Sequence, residues 1–199
     1  MKFLHFGPGP IWKKPNSDWV TVDIDTDRGD IAMNFNDFVK FDMTDNSVDG
    51  IYASHTFEHV SMFVIDKLWI DCCRILKPRC CMRIIVPDVV KSMKEYLSGN
   101  DNYELFKRRK LRKNGTLFEC LKEDFISQSG QPDLLSSTGL AHQNAWDFET
   151  MDKQLRKCGF GDVQKSGFQK SKFNCFKFEG TYDSEANQHY RSMYVEAIK

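Results

Sequence analysis

Ser54, His55, Glu58 and His59 fall within one short stretch, with Asp88 and His142 further on, and all are side chains that can move protons or hold ions. An imidazole titrates near neutrality, so a histidine can take a proton from a weakly acidic group held within hydrogen-bond reach. His59, His55, His142 and Asp88 are therefore the candidate bases. His5 and His189 are poorer ones, the first lying within a strand pattern and the second in a polar run. His55-Thr56-Phe57-Glu58-His59 also reads literally as H-x-x-E-H, in which two helical histidines hold zinc and the glutamate acts as base. That reading needs both histidines on one helix and a third ligand downstream. Here His55 directly follows the apolar run Ile51-Tyr52-Ala53, a buried strand, which spoils helical i,i+4 placement. No metal is expected, and a zinc-dependent hydrolase using His55, Glu58 and His59 stays as an alternative. Glu58 otherwise reads as a helix N-terminal charge, favoured by the helix dipole.

The elements that must position these residues alternate. Lys2 to Phe6 is an apolar run ended by Gly-Pro-Gly-Pro, a strand meeting a sharp loop. Trp19 to Asp25 alternates and finishes on acids, a second strand. Ile31 to Met33 fits a short strand, and Val48 to Ala53 is nearly continuous apolar residues, as a central parallel strand requires. Met62 to Leu76 carries apolar residues at helical spacing and is stopped by Lys77-Pro78. Met82 to Val86 is a further buried strand broken by Pro87-Asp88. Val89 to Leu97 and Tyr103 to Arg112 read as helices, Asn114 to Ala141 as a long loop or lid, and Asp147 to Cys158 as a capped helix. Asp162 to Phe168 and Ser192 to Ile198 are two closing strands. Alternating strands and helices predict parallel β-α-β units, whose ligand sites lie at the carboxyl ends of the strands.

The totals narrow the classes. In 199 residues, 28 Lys+Arg balance 28 Asp+Glu, so no net field draws the protein to nucleic acid or membrane. Seven cysteines, an odd count with two adjacent pairs, argue against a disulfide framework and for a reducing cytosol. The early glycine argues against a signal peptide, and no apolar run is long enough to span a bilayer, so a cytoplasmic protein is expected. The run Lys107 to Lys113, KRRKLRK, could meet phosphates but reads as the solvated face of a helix bearing Leu105 and Leu111.

Strand-GxGP-strand-VDID, then DNSVDxIYASHxxEHxS, RxLKP and IxVPD, in this order, resembles the class I S-adenosylmethionine-dependent methyltransferases, and most of all small members that modify glycans. The resemblance covers most of the chain, including the closing SMYVEAIK. It implies an α/β, Rossmann-like, doubly wound seven-stranded sheet with an antiparallel last strand. The chain would be one domain, 1–199, with a lid or acceptor-binding insertion around residues 89–146.

The resemblance also implies site residues. Phe6, Gly7, Pro8 and Gly9 match the loop that approaches the methionine end of S-adenosylmethionine. Asp23, with Ile24 beside it, matches the acid that holds the ribose hydroxyls, and Asp25 is the fallback. Asp37 matches the acid facing the adenine amino group, with Phe38 flanking the ring, and Ser54 and His55 match the strand end beside the methyl group. Pro8 stands where a small residue is usual and Ile11 where a third glycine is common, and the short Ile11 to Asp18 link leaves little room for a first helix. An inactive binding protein on the same fold is thus the other alternative. The expected reaction is in-line methyl transfer to a sugar hydroxyl of a glycan or nucleotide-sugar, yielding S-adenosylhomocysteine, with a histidine, His59 foremost, as base.

Overall fold

The computed structural model describes residues 1–9, 12–107, 115–125, 141–178 and 188–199. Its strands are β1 (Phe3–Phe6), β2 (Trp19–Asp23), β3 (Ile31–Ala32), β4 (Val48–Ser54), β5 (Leu76–Pro87), β6 (Asp162–Lys165) and β7 (Ser192–Ile198). They form one seven-stranded sheet in the order β3-β2-β1-β4-β5-β7-β6. β7 runs antiparallel to both β5 and β6, and the pairings among β1 to β5 are parallel. The order reverses between β1 and β4, the switch point at which open α/β sheets leave a crevice.

The helices are α1 (Met62–Ile75), α2 (Val89–Leu97), α3 (Leu117–Phe125) and α4 (Phe148–Lys157). In α1 the residues Ile65, Leu68, Trp69, Cys72 and Ile75 fall on one face and are buried. They join Leu4, Phe6, Ile51 and Ile84 in the main core. A second core, built from Phe3, Trp19, Tyr52, Ile85, Phe176 and Tyr194, contains the other face of the central strands. Both faces of β1 and β4 are therefore covered, which is why Phe3–Phe6 and Ile51–Ala53 carry no polar alternation apart from His5.

The strands expected from sequence are present with shifted ends. β5 begins at Leu76, well before Met82, because Val48 pairs with Leu76 ahead of a register shift before Gly50. β6 stops at Lys165, short of Phe168. No helix occurs among the described residues between β1 and β2. The loop expected over 114–141 needs correcting: residues 117–125 are helical. The Oε2 of Glu119 accepts from the Thr116 backbone N–H at 2.6 Å, and the Thr116 Oγ1 accepts from the Glu119 N–H at 3.2 Å. This is a capping box, T-x-x-E, a start signal legible in the sequence. Cys120 and Leu121 of that helix pack on Tyr103, Leu105 and Phe106 in a separate small core. Residues 104–107 are helical, and the remainder of the expected 103–112 helix, with most of the KRRKLRK run, lies outside the described residues.

His5 is the exception in β1. It is buried between Trp12 (ring centroids 4.3 Å apart) and Tyr52 (4.9 Å), and neither ring nitrogen has a hydrogen-bond partner among the described residues. Burial holds its pKa at about 3, against an ordinary 6.5. The folded protein thus keeps His5 neutral where the unfolded chain protonates it, so this residue removes stability as the pH falls from 6.5 toward 3. We expect a loss of up to about 1.4 kcal/mol per pH unit in that window from this group. Urea unfolding of His5→Leu across pH 4–7 should show a shallower acid loss than the parent; equal slopes would assign the acid sensitivity to other groups.

Candidate functional site

The carboxyl ends of β2, β1 and β4 lie side by side, since Phe6 pairs with both Val22 and Ala53. The turn after β1 is made by Gly7 (φ +63°) and Gly9 (φ +66°), both in the left-handed region that favours glycine. The Gly7 N–H continues the β ladder to Val22 O (2.9 Å). A Cβ on Gly7 would come within 2.6 Å of the Thr56 Oγ1, whereas one on Gly9 would meet nothing within 4 Å. Thr56 in turn donates to the Phe6 carbonyl at 2.9 Å, tying the glycine turn to the segment after β4. Pro8 is buried.

Asp23 ends β2 and is 7% exposed. Burial pushes its carboxyl above the ordinary value, opposed by the Asp25 backbone N–H (2.9 Å to Oδ1) and by the charge of Arg28. Asp25 is spoken for: Arg28 donates from Nε to its Oδ2 at 2.7 Å, and its carboxyl is held low by the Asp27 N–H and by that bond. Of the two acids, Asp23 is the one at the strand end, and among the described residues no ion pair is made by its carboxylate. Ile24 beside it is half-buried. Asp37 closes a short 3-10 turn (Phe35–Asp37), is exposed, and accepts from the Asn34 amide at 2.8 Å. Phe38 is taken up by the core, its ring 4.8 Å from that of Phe41, so little of it faces the crevice.

Beyond β4 the backbone turns sharply. His55 has φ +50°, an uncommon conformation for a residue with a Cβ. Three bonds hold it there: its N–H to the Ile85 carbonyl (2.8 Å), its Nδ1 to the Glu58 Oε1 (3.0 Å) and its Nε2 to the Ser192 Oγ (2.9 Å). Glu58 is 1% exposed. Burial would raise its carboxyl, but the His55 hydrogen bond and the charges of His55, His59 and His142 outweigh it and bring the pKa down to about 2. His59 ends the Phe57–His59 turn, and its ring meets that of His142 edge-on at 4.7 Å between centroids.

The chain resembles solved structures across its whole length. It superposes on the trans-methyltransferase CalH in complex with S-adenosylhomocysteine with a TM-score of 0.51, at 11% identity, covering 100% of this chain and 51% of that one. A S-adenosylmethionine-dependent methyltransferase from Mesorhizobium loti gives 0.50 at 10% identity, over 100% of this chain and 90% of that one. The CMeT domain of the citrinin polyketide synthase gives 0.50 at 12% identity, over 100% of this chain and 46% of that one. No family model matches the sequence, and no curated protein matches it. The fold is that of the class I methyltransferases.

On the methyltransferase fold the residues singled out from sequence divide into groups. Gly7, Gly9, Asp23, Ser54 and the 3-10 turn bearing Asp37 share the carboxyl edge, and the Asn36 amide of that turn donates to the His59 carbonyl at 3.1 Å. Ser54 is buried and its Oγ has no hydrogen-bond partner among the described residues. Both ring nitrogens of His55 are hydrogen-bonded, Nδ1 to Glu58 and Nε2 to Ser192, so it also positions Glu58. Pairing His55 with His59 on a zinc ion would require His55 to give up its bond to Ser192 or to Glu58. Asp88 caps α2, its Oδ1 accepting from the Lys91 N–H at 3.0 Å. Sequence reading missed Ser192, Asn144 and Thr56. Only Thr56, inside the polar run after β4, carried any local signal. A surface cleft lined by Phe41, Thr44 and Arg74 lies toward the amino end of β4, away from this edge.

The two glycines give a contrast. Gly9→Ala adds only left-handed backbone strain, about 1–2 kcal/mol. Gly7→Ala adds the same strain and a collision with Thr56, so its loss of unfolding free energy in urea should be the larger. Equal losses would show that Thr56 gives way freely.

Proposed function

We propose that the protein transfers the methyl group of S-adenosylmethionine to a hydroxyl of a sugar, on a glycan or nucleotide-sugar. The observation that carries the cofactor part is the placement of the Gly7–Gly9 turn at the switch point, with the buried Asp23 at the next strand end. A glycine turn with open space over Gly9 lets a ligand approach the backbone closely. A carboxylate at the Asp23 position can accept from two vicinal hydroxyls, as a ribose presents them. The sugar acceptor rests on the sequence motifs, DNSVD through VPD, and not on any sugar contact.

Methyl transfer from a sulfonium is a single in-line displacement, so the protein's tasks are alignment and removal of the acceptor's proton. A sugar hydroxyl is too weak an acid to lose that proton unaided. The His59–His142 pair, beside the buried Glu58 carboxylate, supports proton removal there. The segment bearing α2, residues 104–107 and α3, with its own small core, is the acceptor-binding insertion in this reading. All seven cysteines are free, which suits a cytoplasmic protein, and no helix among the described residues is long and apolar enough to cross a membrane.

Isothermal titration with S-adenosylhomocysteine tests the cofactor site. We expect binding by the parent and a drop of tenfold or more in Asp23→Ala, since a hydrogen bond to a charged group is worth about 1.5–3 kcal/mol. Unchanged affinity in that variant would overturn the placement. With a labelled methyl donor and a panel of glycosides and nucleotide-sugars, His59→Ala should keep cofactor binding and lose about a hundredfold or more in turnover. Full turnover would remove His59 from the chemistry.

A further inference from the structure

The histidines that survive as candidates do not stand alone. Glu58, His59 and His142 each offer one ligand atom, and these atoms all lie within 4.8 Å of one another. Two of the three residues carry an orphaned atom: the Glu58 Oε2 and the His59 Nδ1 are both buried without a hydrogen-bond partner among the described residues. A buried carboxylate oxygen left unpaired is costly, so its persistence asks for a ligand that the described side chains do not supply.

The surroundings hold these three residues in place. His55 grips the Glu58 Oε1 at 3.0 Å and is itself gripped by Ser192 at 2.9 Å, which fixes the carboxylate and leaves Oε2 as its unsatisfied face. The segment carrying His142 is fastened to the segment carrying Glu58 and His59 by several bonds. The N–H groups of Gln143 and Asn144 donate to the Glu58 carbonyl at 2.7 and 3.0 Å. The Gln143 side chain donates to the His59 carbonyl at 3.1 Å, and the Asn144 side chain to the Val60 carbonyl. Asn36 braces the same turn from the other side, donating to the His59 carbonyl at 3.1 Å and accepting from the Ser61 N–H at 2.7 Å. A carboxylate steered by an outer histidine, with two further imidazoles, is the construction of a protein metal centre.

We propose that Glu58, His59 and His142 bind one first-row divalent transition metal ion of the zinc type, with His55 and Ser192 positioning the glutamate. Two imidazoles and one carboxylate suit such an ion better than magnesium or calcium, which prefer oxygen donors. A tetrahedral ion with bonds of about 2.1 Å needs donors about 3.4 Å apart, so side-chain adjustment of about an ångström closes the site. Three protein ligands leave a fourth position open. This deepens the methyltransferase reading and rests on it for one point alone: an acceptor oxygen in that fourth position would release its proton to solvent more readily, because a divalent cation lowers the pKa of a coordinated hydroxyl. His59 then serves as a ligand.

The test uses the full chain stripped of metal and titrated with zinc chloride, with the visible absorption of a cobalt-loaded sample as second readout. We expect one ion per chain, and affinity lowered at least tenfold in each of His142→Ala and Glu58→Gln. His189→Ala, outside the site, should bind as the parent does. Thermal unfolding of each variant separates lost ligands from lost fold. If His142→Ala unfolds, His142→Gln serves instead, because it keeps the polar volume without the imidazole. Absence of stoichiometric binding, or binding that survives both the His142 and Glu58 substitutions in folded protein, overturns the site. Metal binding without S-adenosylhomocysteine binding would keep the site and sink the methyltransferase reading; the reverse would keep that reading and sink the site.

Discussion

The hydrogen-bonded chain Glu58–His55–Ser192 is the constraint around which the carboxyl edge is arranged. Parallel strand β4 must end abruptly for a ligand to reach its last residues, and the backbone does so by placing His55 in the left-handed region. That conformation costs about 1–2 kcal/mol for a residue with a Cβ. It persists because the imidazole satisfies a buried carboxylate on one side and a hydroxyl at the start of the last strand, β7, on the other. The turn after β4, the antiparallel strand β7 and the buried acid are thereby made interdependent. His55, a candidate base from sequence, is through these bonds also a brace.

The same economy of space governs the neighbouring turn. Thr56 donates to the Phe6 carbonyl and fills the volume that a side chain on Gly7 would need. Gly7 is therefore fixed by packing as well as by backbone angle, while Gly9 is fixed by angle alone and faces open space. One glycine closes the sheet and the other leaves room for a ligand. Pro8, between the two glycines, is buried.

Electrostatics then separates the acids that had looked alike. Asp25 is neutralised by Arg28 and Asp88 is consumed as a helix cap, whereas Asp23 is buried, held by backbone N–H groups and by the more distant charge of Arg28. Glu58 is more buried still, yet it stays charged because three histidines surround it. A carboxylate kept ionised in a dry setting attracts a proton donor or a cation, and the fold brings His59 and His142 to that point.

The strands, α1, α4 and the glycine turn were legible because each rests on a local rule: apolar period, cap residue, or the left-handed tolerance of glycine. The class of sheet followed from their alternation, and Asp23 and the Ser54–His59 cluster followed from their place at strand ends. Helix α3 was legible too, through the Thr116–Glu119 capping box, but it opens a stretch rich in Gly, Ser and other polar residues that masked the signal. What tertiary structure alone decided is which side chains meet. Ser192 reaches His55 across 137 positions, and Asn144 reaches Val60 across 84. Periodicity and turn chemistry constrain neighbours along the chain. The convergence of donor atoms on one point depends on how distant loops close over the sheet edge, and no local pattern records that.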